Sequence, residues 1–182
     1  MILADCRDMK LGVLALFLFL AGCNSATMTG GFATTPGDSV LVGGVTRVTL
    51  TSLGGGFHGN PPSGAACDPS KWEYTVNFGD QTQFSNTCSV TGDGTAPTDY
   101  VPDMLLVSLD TQWPTVEGAI AAVTVSGKRL CGADADHWTF TVARGDATQL
   151  YGDDFFGCQT TYSEFVTQDS LVSLLTVLSA NK

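Results

Sequence analysis

"WEYTVNFGDQTQF" at residues 72–84 and "WTFTVARGDATQL" at residues 138–150 are two versions of one pattern. Trp, Thr, Val, Gly, Asp, Thr and Gln recur in register, Tyr74 stands where Phe140 does, and Phe84 where Leu150 does. An internal repeat governs the fold before any single motif does, because each copy is one supersecondary unit. Trp72, Tyr74, Val76 and Phe78 alternate with Glu73, Thr75 and Asn77, and Trp138, Phe140 and Val142 alternate in the same way. A period of two predicts strands with one buried face. Gly79-Asp80 and Gly145-Asp146 then turn the chain, since glycine tolerates a positive φ. A three-residue loop would pair Val76 with Phe84 and Val142 with Leu150. It keeps the apolar residues together, whereas a slip of one residue turns them over.

The likeness extends outwards. Cys67 and Cys131 precede the copies, and Cys88 and Cys158 follow them. Alternating runs lie upstream, "TRVTLTSL" (46–53) and "AAVTVSG" (121–127). Downstream, Val116, Ala119, Ile120 and Val123 match Leu171, Leu174, Leu175 and Leu178, the i, i+3, i+4, i+7 stripe of a helix. Pro114 suits a first helical turn, and Asp169 or Ser170 a cap. The expected fold is therefore α+β: two tandem units, 40–123 and 121–182, each a small antiparallel sheet with one C-terminal helix and one disulfide.

The second copy also spells Arg144-Gly145-Asp146, a cell-adhesion tripeptide. The first copy has Phe78 in place of Arg144, so the shared element is Gly-Asp and its shared task is the turn. Adhesion stays open as the alternative, because a hairpin tip displays its residues.

Lys10 is followed by "LGVLALFLFLAGC", an apolar run over 11–21 that ends in Gly22-Cys23. A basic residue, a short apolar core and small residues at a cut site read as a secretory signal over 1–22. The run is shorter than the roughly 20 residues of a membrane span. Asp5 and Asp8 do not belong in a basic leader, so Met9 is the expected start. Leu20-Ala21-Gly22-Cys23 resembles the lipobox of bacterial lipoproteins. The resemblance implies cleavage before Cys23, a lipid on its thiol and an acylated N-terminus, giving a protein exported and anchored to a bacterial membrane. Asn24 at the next position leans toward the outer membrane or cell surface by the same resemblance. Residues 23–39 are small, polar and Gly-rich and read as a flexible tether.

Removing 1–22 takes away Arg7, Lys10, Asp5 and Asp8 and leaves the net charge at −10. So acidic a chain repels nucleic acid, whose binding needs clustered Lys and Arg. A protein partner fits better. In an oxidising compartment paired thiols persist. With Cys23 lipidated, four cysteines remain and allow three connectivities. The repeat favours Cys67–Cys88 and Cys131–Cys158, each worth about 3 kcal/mol in the chain-entropy picture. A zinc site is the rival, but no Cys-x-x-Cys pair is present.

Catalytic and cofactor motifs are absent: there is no Gly-x-Ser-x-Gly, no His-Glu-x-x-His and no phosphate loop. A hydrolase-type envelope enzyme would have to use His58 or His137. Asp134, Asp136, Asp153 and Asp154 offer oxygens to calcium, without EF-hand spacing; a solvated acidic edge is the simpler reading. Phe155 and Phe156 lie in an insertion special to the second copy. One of them is expected in the core and the other exposed for binding. Two tandem units, each with sheet, helix and disulfide, also resemble the architecture of the beta-lactamase inhibitory protein, although its helices come first in each unit and none of its motifs carries over. The functional expectation is a non-catalytic, lipid-anchored binding protein of the envelope, an inhibitor or interaction module without cofactor or metal. A structural envelope lipoprotein is the third possibility.

Overall fold

A computed structural model describes residues 31–55, 61–92, 99–130, 136–155 and 162–181. Their strands are β1 (Arg47–Gly55), β2 (Lys71–Asn77), β3 (Thr82–Thr91), β4 (Asp99–Ser108), β5 (Asp136–Arg144), β6 (Ala147–Asp153) and β7 (Glu164–Val166). Helix α1 (Trp113–Ala121) follows β4, and α2 (Gln168–Ala180) follows β7. All seven strands form one sheet, in the order β4-β3-β2-β1-β5-β6-β7. The fold is α+β, as expected, but the strands assigned to two units share this sheet.

The junction is β1. Its Val48, Leu50 and Ser52 lie opposite Val76, Tyr74 and Trp72 of β2 on one side, and opposite Val142, Phe140 and Trp138 of β5 on the other. The similar stretches 72–76 and 138–142 therefore meet the same strand in the same register. The stretch 121–127, expected to give the second copy a strand of its own, makes only the isolated bridges Ser39↔Thr124 and Val125↔Val166.

The helices cover one face. Leu50, Phe140, Val142, Tyr151, Val116, Ile120, Leu171, Leu174 and Leu178 share one buried cluster, and the predicted helical stripes supply it. Pro114 sits in the first turn of α1, where its missing N–H has no partner to lose. The N-cap of α2 is Thr167, two or three residues earlier than expected; its hydroxyl donates to Ser170 Oγ at 2.8 Å. Trp72 packs edge-on against Trp138, with ring centroids 5.6 Å apart.

The hairpin register differs from the expectation by one residue. Val76 pairs with Gln83, and Val142 with Gln149. Phe84 and Leu150 consequently lie opposite Thr75 and Thr141, on the face away from the helices. The turns explain the slip. Gly145 alone carries the positive φ (54°) of a two-residue turn, the pattern of type II′. In the first copy the loop is 78–81, and Gln81, not Gly79, has the positive φ, at 52°. Even-numbered loops send Gln83 inward. It is fully buried, and its Nε2 donates to the Leu178 carbonyl at 2.8 Å, tying β3 to the end of α2.

The disulfide Cys67–Cys88 is present, with Cα atoms 5.7 Å apart. Cys131, Cys158, Cys23, Phe156, His58 and Asp134 lie outside the described residues. Phe32–Lys182 forms one compact unit. The end of the segment read as tether belongs to it: Ala33 is buried, and Gly37 N–H donates to the Val125 carbonyl at 2.8 Å.

Tyr151 fastens that segment. Its ring is fully buried, and its hydroxyl donates to the Ala33 carbonyl at 2.8 Å. Burial pushes its phenol up to about 12, against a partial opposing pull from Arg144. A folded-state value above the unfolded one stabilises the protein below pH 10 and is lost as pH rises through 12. Denaturant melts should therefore lose roughly 2–3 kcal/mol across that window. Tyr151→Phe should flatten the slope; an unchanged slope would show that the buried phenol is not its source.

Candidate functional site

Directly opposed residues share a face of a sheet, so the face away from the helices can be read strand by strand. One row runs Leu106, Phe84, Thr75, Thr49, Thr141, Leu150 from β4 to β6. The next runs Met104, Asn86, Glu73, Thr51, Thr139, Gly152. The middle is threonine, a β-branched residue at home on an exposed pleat, and Thr49 and Thr75 join hydroxyls at 3.0 Å. The margins are apolar: Met104 is 68% exposed, Leu106 64% and Leu150 43%. A groove of about 270 Å³ between Thr51, Lys71, Glu73 and Asn86 runs into this face.

Among the described residues, rings cover the β6 end of the face. A side-chain carbon on Gly152 would come within 2.5 Å of the Tyr162 ring and 3.1 Å of Phe165. Those rings lie where glycine leaves room, and Thr139 beneath them is buried. Arg129 stacks on the outer side of Phe165, 4.7 Å from its centroid. Burial, and then the charge of Asp153, raises the Tyr162 phenol above its ordinary value.

The acidic residues of the second copy divide. Asp153 is fully buried, and its Oδ2 accepts the Trp138 N–H at 2.9 Å. Asp154 Oδ1 accepts the N–H of Gln168, the first residue of α2, at 2.9 Å, and its Oδ2 accepts the Ser126 hydroxyl at 2.6 Å. Asp136 opens β5 opposite Gly55. Asp153 and Asp154 thus hold backbone in place, and among the described residues no three His, Cys, Asp or Glu side chains gather as metal ligands.

Phe155 is half-buried and lines a cleft of about 570 Å³ with Ser126, Lys128, Leu130, Asp154 and Gln168. Here the aromatic singled out from sequence does border a cavity. The helix end in that cleft is already occupied by the Asp154 carboxylate, which leaves little attraction for an anionic ligand. His137 stands edge-on to Tyr162 at 5.7 Å and lines neither the groove nor the cleft.

No protein-family model matches this chain, and neither does any curated protein or solved structure.

Arg144-Gly145-Asp146 occupies the β5–β6 turn. The Arg144 guanidinium lies over the Phe32 ring, 4.8 Å from its centroid, so packing against the incoming chain already employs the arginine of the tripeptide. A side chain at Gly145 meets nothing within 4 Å. Gly145→Val should therefore cost backbone strain alone, about 1–2 kcal/mol. A thermal melt indistinguishable from the parent would show that the turn does not depend on glycine.

The short strand expected between Cys88 and the helix is β4, ten residues long; the open face went unread because the expected hairpin register turned Phe84 and Leu150 inward. Pro102 interrupts "DYVPDMLLVS", and a proline argues against a central strand. It is compatible with an edge strand, and β4 is one.

Proposed function

We propose that this chain is a bacterial lipoprotein, anchored through lipid on Cys23 and exported to the outer membrane or cell surface, which binds a protein partner without catalysis. The observation that carries the binding role is the sheet face away from the helices: a threonine centre flanked by exposed Met104, Leu106 and Leu150. Exposed apolar side chains on one contiguous face mark interaction surfaces, and a strongly acidic chain favours a protein over a nucleic acid. We also read β2–β3 and β5–β6 as copies of one hairpin; the shared register against β1 supports that reading.

Cys23→Ser should abolish lipid labelling and release the protein from membranes, and a mutant that is still labelled would end the anchor reading. For the binding face, a photoreactive residue at Leu150 should yield one discrete adduct in cells, and the same probe at exposed Val172 on α2 should yield none. Equal labelling from both positions would remove the sheet face from the proposal.

A further inference from the structure

The outer edge of β4 offers a second surface. Leu109 N–H donates to the Gln81 carbonyl at 2.8 Å. In an antiparallel ladder hydrogen-bonded pairs alternate, so Leu105 and Val107 turn their backbone groups toward β3, while Met104, Leu106 and Ser108 turn theirs outward. Pro102 falls in the outward set, where its missing N–H costs the ladder nothing. The two most exposed of the large apolar side chains, Met104 and Leu106, belong to the same outward set. Among the described residues no strand pairs with this edge, and such an edge is a template for another strand.

We infer that this edge pairs with the same edge of a second copy, antiparallel about a two-fold axis through Leu105. This register sets Met104 against Leu106 of the other copy, and Leu106 against its Met104. It puts Asp103 opposite Val107, so no like charges meet, and places Pro102 at the margin opposite Ser108. Registers centred nearer Pro102 put the missing donor in the middle of the ladder. One strand pair buries less than the roughly 1,600 Å² of a standard stable interface. The dimer therefore depends on high local concentration, which the lipid anchor proposed above supplies. The two sheets become one, with their open faces side by side.

The register predicts where a crosslink forms. Leu105 meets its own counterpart at a non-hydrogen-bonded site, where Cα atoms stand about 4.5 Å apart, within disulfide reach. Full-length Leu105→Cys in its membrane, oxidised with diamide, should give a disulfide-linked dimer several-fold more abundant than Asp103→Cys or Val101→Cys gives. Adding Leu106→Lys to Leu105→Cys should return the protein to monomer with its fold intact. Equal crosslinking at the three positions, or none at Leu105→Cys, overturns the interface. The same series in Cys23→Ser protein at rising concentration separates the two proposals. A mistaken anchor leaves a concentration-dependent Leu105 crosslink; a mistaken interface abolishes it in both settings.

Discussion

Phe140→Ala should lower stability by about 3–5 kcal/mol and the melting temperature by on the order of 10 °C. The Phe140 side chain is fully buried between Leu50 of β1 and Tyr151 of β6, so truncation loses its transfer energy and leaves a cavity beneath both helices. How the loss is distributed matters as much as its size. Because β1 pairs with both hairpins, the β2–β3 amides should lose hydrogen-exchange protection together with those of β5–β6, in one transition. If β2–β3 keeps its protection while β5–β6 opens, the sheet is two cooperative units and the shared strand couples them weakly.

Asp154→Ala should cost about 3 kcal/mol, the loss of two hydrogen bonds to a charged acceptor. Its carboxylate joins three parts of the chain: the end of β6, Ser126 in the segment after α1, and the first N–H of α2. It also places negative charge at the positive end of the α2 dipole. Asp154→Asn keeps an acceptor and should fall in between. Chemical denaturation of the three proteins decides the matter; equal midpoints would show that solvent replaces the carboxylate without cost.

Much of the architecture can be read in the residues. The alternation of Trp72, Tyr74 and Val76, the helical stripes through Ile120 and Leu178, and the pairing of Cys67 with Cys88 are local or pairwise signals, and the structure contains each of them, while Val123 is buried just past the end of α1. The register could not be read in this way. Phe84 and Leu150 are apolar and invite an inward placement, but Gln83 is the buried residue because its amide can reach the last carbonyls of α2, a tertiary contact with no local signature. The choice of Gln81 for the positive φ, with Gly79 two residues away, is equally invisible. The partner of β5 was misassigned for a related reason. "AAVTVSG" alternates as well as "TRVTLTSL" does, and pattern alone does not say which strand a hairpin will join. Of the candidate site, the open face depends on the hairpin register, which no local signal sets, and on an edge strand longer than expected.

The contact between Phe32 and Arg144 also makes the Arg-Gly-Asp turn part of a seam. Phe32 lies against the β5–β6 turn, at the end of the sheet away from the Cys67–Cys88 bridge, which ties the loop before β2 to β3. The arginine acts there as a clamp on the segment that Tyr151 fastens further along, so a receptor that took hold of it would have to unpick the fold first.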